Sequence, residues 1–112
     1  MKVITSLLAL GLMATPALAE TKSFNDVAIV DVMCSKKVAA NPDAHTRACA
    51  LQCEDSGFGI VTSDGTFLKF DADGNAKIAA QLKASKKADH LRVNVKGDVQ
   101  GDTLKVDSVK LL

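Results

Sequence analysis

Cys34, His45, Cys49 and Cys53 place thiol and imidazole donors in one short stretch of the chain. Such donors hold Zn²⁺ or Cu⁺ in preference to Mg²⁺ or Ca²⁺. Two thiols brought close can also pair as a disulfide. His45, Cys49 and Cys53 recur at intervals of four, the step that keeps side chains on one face of a helix. The spacing predicts a metal site built from Cys34, His45, Cys49 and Cys53. A copper or zinc ion is the cofactor it implies, with Cu⁺ the sharper guess for an exported protein.

Helix geometry limits how those donors meet. Each step of four turns the direction by about 40°, so the three form a stripe about 80° wide. The outer two lie about 12 Å apart along the axis, too far for one ion on a regular helix. His45 with Cys49, or Cys49 with Cys53, joined by Cys34 from elsewhere, is easier. Cys49–Cys53 is an awkward disulfide because the Cβ vectors diverge, which leaves Cys34–Cys49 or Cys34–Cys53. Closing a loop of about fifteen to twenty residues contributes roughly 3 kcal/mol in the chain-entropy description. The competing reading is a disulfide staple with one buried thiol left over and His45 in solvent. Asp31, three residues before Cys34, either accepts from a ligating histidine, adds a further ligand, or solvates a strand end.

These residues need elements to position them. Phe24 to Met33 is apolar and β-branched and reads as a strand. Asn41-Pro42-Asp43 reads as a helix start, with the helix running from Pro42 to Ser56 and Gly57 as its stop. Glu54 and Asp55 then fall in the last turn, where the helix dipole disfavours acids; Arg47, solvent or a cation could relieve this. Ile60 to Thr62 and Thr66 to Phe70 flank a Ser63-Asp64-Gly65 turn. A second helix spans Ala76 to Ser85 after a turn at Asp71 to Asn75. His90 to Val99 alternates as a strand, and Gln100-Gly101-Asp102 turns the chain into the last one. There Leu104 and Val106 fall on one parity and Val109 and Leu111 on the other, which requires a bulge near Asp107-Ser108. Five strands with a helix between the third and fourth is the order of a small five-stranded OB-like barrel. The fold class is mainly β with helices, with an extra cysteine-bearing helix between strands 1 and 2. An open α+β sheet is the alternative.

Residues 1–19 read as an export signal. Lys2 is followed by an apolar core, Val3 to Met13, and by Ala17-Leu18-Ala19 as a cleavage site before Glu20. The apolar stretch is too short to span a bilayer, so no stable membrane insertion is expected. Removing 19 of the 112 residues leaves a 93-residue domain, 20–112, expected in the periplasm. Three cysteines in an oxidising compartment allow one pair and leave one thiol that needs protection.

Composition narrows the function classes. Lys2 is the one basic residue of the 14 inside the signal, which leaves 13 basic against 13 acidic residues. A neutral domain lacks the electrostatic footprint of a nucleic-acid binder. Without Trp or Tyr, and with Phe24, Phe58, Phe67 and Phe70 as the only aromatics, stacking platforms are scarce. There is no Cys-x-x-Cys, no haem-attachment motif, no phosphate loop and no nucleophilic serine motif. The Asp71–Asn75 segment lacks the glycine position and final Glu of a calcium loop. His90 has no second ligand near it in sequence and reads as structural. The chain therefore reads as a non-enzyme whose partners are a metal ion and a possible protein.

The chain resembles a group of small exported bacterial OB-fold-like proteins of uncharacterised function. The resemblance rests on Asp31-x-x-Cys34 and on His45-x-x-x-Cys49-x-x-x-Cys53-x-x-x-Gly57. It extends to the hairpin around Asp64-Gly65 and the closing segment from Val95-Lys96-Gly97 to Gly101-Asp102-Thr103. It covers nearly all of the domain and implies the barrel and the same site residues, but no activity. Members often have Gly after the first cysteine, where this chain has Ser35.

Overall fold

The computed structural model describes residues 20–112, and the expected signal, 1–19, lies outside the described residues. Strand β1 (Glu20–Asp31) is apolar on both faces in its second half because both faces are covered. Val27 and Ile29 enter the main core, while Ala28 and Val30 pack outward with Val61, Val38 and Phe67. The outer layer is supplied by the insertion that follows β1. It comprises helix α1 (Ser35–Val38), a 3₁₀ turn (Pro42–Ala44), helix α2 (Arg47–Gln52) and a second 3₁₀ turn (Glu54–Ser56).

Strands β2 (Phe58–Val61) and β3 (Phe67–Phe70) form the hairpin, and helix α3 (Ala72–Ala84) leads to β4 (Arg92–Gln100) and β5 (Thr103–Leu111). The strands close in the order β1-β2-β3-β5-β4, with β4 returning to β1. All pairings are antiparallel except β3 with β5, a parallel contact at Lys69–Thr103 and Phe70–Leu104. The protein is a closed five-stranded OB-like barrel with helices, and the open-sheet alternative does not apply. The barrel is filled by Ile29, Phe58, Ile60, Leu91, Val93 and Leu104, each at most 1 % exposed. Ile78 and Leu82 of α3 complete that core at 0 %.

Two bulges shape the barrel. On β5, Lys96 pairs with Ser108 and Gly97 with Val106, so Asp107 is the extra residue, within the Asp107-Ser108 region expected from the parity of the sequence. On β1, Phe24 pairs with Val95 and Val27 with Val93, and Asp26 takes a φ of 54°.

The helices differ from the sequence reading. Helix α3 begins four residues earlier than the spacing predicts. Asp71 caps it by accepting from the Gly74 amide at 3.0 Å. Gly74 sits inside the helix because Val106 packs against it; a Cβ there would lie 2.4 Å from Val106 Cγ2. Asn75 faces the barrel and accepts from the Phe58 amide at 2.8 Å. The single helix expected from Pro42 to Ser56 is broken into three pieces. The chain is extended at His45 (φ −73°, ψ 128°) and the α-helix starts only at Arg47. Thr46 is its cap, its hydroxyl accepting from the Cys49 amide at 3.1 Å. Cys53 ends it at φ −107°, ψ 22°, and Gly57 (φ 88°) turns the chain into β2. Glu54 pairs with Lys83 at 3.1 Å, not with Arg47.

Gly97 faces the β5 bulge, where a Cβ would lie 2.3 Å from the Lys105 carbonyl oxygen. That contact is with backbone and cannot relax by rotamer change. Gly97→Ala is expected to lower the unfolding free energy by about 1–3 kcal/mol, read as a lower urea midpoint at unchanged slope.

Candidate metal centre

Asp31 is the last residue of β1 and shares the inward parity of Ile29. It opposes Phe58 at the end of the β1–β2 ladder and is 0 % exposed. Burial of this kind requires partners for its oxygens. Oδ2 accepts from the Cys34 amide at 3.0 Å, and Oδ1 lies 2.6 Å from Nε2 of His45. Asp31 is therefore not a solvated strand end; its buried carboxyl is paired with the histidine.

The cysteines distribute unevenly around it. One ligand atom each from Asp31, Cys34 and Cys53 lies within 4.8 Å of the others. Cys34 and Cys53 are half-buried, while Cys49 is exposed and outside this group. Among the four residues expected from spacing, the structure thus brings together Cys34 and Cys53, adds Asp31, and places His45 behind Asp31. The helix-face stripe does not form, because His45 precedes the helix and Cys53 closes it. A local signal for this was present: Thr46 is a strong cap directly before a helix-forming run. No cysteine is paired in a disulfide.

Backbone contacts hold the two thiols together. The Val32 amide donates to the Gly57 carbonyl at 2.8 Å, and the Met33 amide donates to the Ser56 hydroxyl oxygen at 3.1 Å. Ser56 in turn donates to the Cys53 carbonyl at 2.8 Å. Ser35 closes the turn at Cys34, its amide and its hydroxyl both donating to the Val32 carbonyl. Burial, then the Asp31 charge, then Cys53, push the Cys34 thiol above its ordinary value.

The His45 segment is pinned from β4, the strand that pairs with β1. Arg92 of β4 forks onto Asp43, with Nε at 3.0 Å from Oδ1 and NH2 at 2.9 Å from Oδ2, and its NH1 donates to the Asp26 carbonyl at 2.7 Å. The His90 amide donates to the Asp43 carbonyl. Arg47 reaches the Lys87 carbonyl through Nε at 2.9 Å, and its amide donates to Ala88. The Arg92 hydrogen bond holds the Asp43 carboxyl below its ordinary value of 3.8.

A groove of about 860 Å³ passes Phe24, Val61 and Arg92 and includes none of Asp31, Cys34, His45 or Cys53. No helix among the described residues is long and apolar enough to cross a membrane. Comparison with protein-family models, with curated proteins and with solved structures finds no match.

Removing the imidazole leaves a buried carboxylate oxygen without its partner. His45→Ala is expected to cost about 3 kcal/mol, measured by urea unfolding at neutral pH. The Asp43–Arg92 pair has a distinct acid signature. A carboxyl lowered on folding stabilises the protein above its unfolded value, and this is lost as pH falls through the lower folded value. The urea-midpoint gap between wild type and Asp43→Asn should hold steady at pH 5–7 and narrow below about pH 4.

Proposed function

We propose that this is a periplasmic, non-catalytic protein that binds one soft transition-metal ion through Asp31, Cys34 and Cys53, with His45 positioning the carboxylate. The observation that carries the reading is the convergence of these three donors within 4.8 Å from a strand end, a turn and a helix end. An ionised carboxylate has about four acceptor positions. Two are taken by His45 and the Cys34 amide, so Asp31 retains lone pairs for an ion. The imidazole that would be a ligand by spacing instead fixes a ligand from behind, the arrangement through which outer partners tune metal sites.

The donor set separates the two candidate metals. Two thiolates suit both Cu⁺ and Zn²⁺, but a carboxylate is a hard donor that Zn²⁺ accepts and Cu⁺ does not favour. Zinc is the better fit to Asp31, Cys34 and Cys53, with a fourth position left for water or an external donor. Binding releases thiol protons, since only thiolates ligate. The periplasmic setting rests on the export signal read from residues 1–19.

Titration of the reduced domain with Zn²⁺ and Cu⁺, followed by calorimetry and native mass spectrometry, tests this. One equivalent of Zn²⁺ should bind. Cys34→Ser and Cys53→Ser should abolish stoichiometric loading, and Asp31→Asn, which keeps shape but removes charge, should weaken it at least tenfold. His45→Gln should weaken it by about 10–100-fold. Cys49→Ser should leave affinity unchanged. Loss of binding on Cys49→Ser alone, or no stoichiometric metal in the wild type, would refute the site.

A further inference from the structure

The same thiols carry a second chemistry. Cys34 and Cys53 are half-buried, unpaired, and close enough to share an ion, yet they belong to separate segments that only the fold brings together. Each lies at a break in regular structure. Cys34 sits in the turn between β1 and α1, at φ −97°, ψ 1°. Cys53 sits where α2 ends and the next 3₁₀ turn begins. The Val32–Gly57, Met33–Ser56 and Ser56–Cys53 hydrogen bonds hold these two breaks against each other. Both residues lie at element ends, and their sulfurs lie within 4.8 Å of each other. Cys49 lies in the first turn of α2, exposed and outside the group.

We propose that Cys34 and Cys53 form a reversible disulfide in exchange with small-molecule or protein disulfides, and that the oxidised form cannot hold the metal. The metal-gating half of this rests on the zinc reading above; the exchange does not. A thiolate of the pair attacks one sulfur of the oxidant R–S–S–R, forming a mixed disulfide and releasing one R–SH. The second thiolate attacks the bonded cysteine sulfur and displaces the other R–SH. Two protein thiols are oxidised, two electrons reduce the oxidant, and both protons leave on the released thiols. The product ties the end of β1 to the end of α2. It also removes the two thiolates that the ion requires, so metal and disulfide compete for the same sulfurs.

Oxidised glutathione is the probe, applied to the reduced domain with and without one equivalent of Zn²⁺. Products are read by thiol count, intact mass and peptide mapping without reduction. Trypsin leaves Cys49 and Cys53 on one peptide, because no Lys or Arg lies between Arg47 and Lys69, so cleavage after Leu51 is added. The expected result without metal is loss of two thiols, a Cys34–Cys53 cross-link and a free Cys49. The same cross-link should form in Cys49→Ser. Zn²⁺ should slow the reaction at least tenfold, and the oxidised protein should take up no Zn²⁺ until reduced. A cross-link through Cys49, or glutathione left on Cys34 or Cys53 as the final product, overturns the proposal. If the Cys34–Cys53 bond forms at the same rate with Zn²⁺ present, the exchange stands and the metal gating fails. Direct titration with Zn²⁺ then decides whether the metal site fails with it.

Discussion

A carboxylate fully removed from water governs this molecule. Asp31 stands at 0 % exposure in a position that alternation would assign to an apolar residue. It is tolerated there because the Cys34 amide and the His45 ring reach it from two sides. Each contact has a structural price elsewhere. The chain must turn sharply after β1 for the Cys34 amide to point back, and Ser35 supplies that turn. The chain must also stay extended at His45, which prevents one long helix from forming. The broken insertion is thus a consequence of burying one acid at the end of a strand.

The barrel provides the rigidity that this arrangement needs. The insertion is a series of short pieces, none of them long enough to be a stable helix alone. Its order comes from outside: Arg92 on β4, the Lys87 and Ala88 carbonyls, the Gly57 carbonyl, and the Ala28–Val30–Val61 layer beneath. Arg92 is well chosen for its place, because a planar fork meets both carboxylate oxygens while a third nitrogen reaches a backbone carbonyl at the β1 bulge. A strand irregularity at Asp26 and the seat of the His45 segment are therefore joined by one side chain.

Much of the barrel is legible in the sequence. Alternation from Leu91 to Val95 marks β4, and the conflict of parity between Val106 and Val109 calls for a bulge near Asp107-Ser108, where the register makes Asp107 the extra residue. These readings succeed because a side-chain period of two admits few solutions. The helical insertion is less legible. Spacing at four is necessary for a shared helix face but does not create a helix, and Thr46 competed as a cap inside the expected span. Gly74 and Asn75 discouraged a helix that tertiary contacts with Val106 and Phe58 support. Asp31 was visible as a residue near Cys34. Its burial was not, because that depends on His45 folding back over it.

The route of the chain has a consequence for assembly. All three thiols occur by position 53, whereas Arg92, which seats the segment between them, comes almost forty residues later. During vectorial appearance of the polypeptide, the sulfurs meet the surroundings before their geometry is imposed. Any bridge made in that interval is chosen by tether length and collision, not by the finished architecture. Before folding, Cys49 competes on equal terms with Cys34 and Cys53, and it is the finished fold that sets it apart from them.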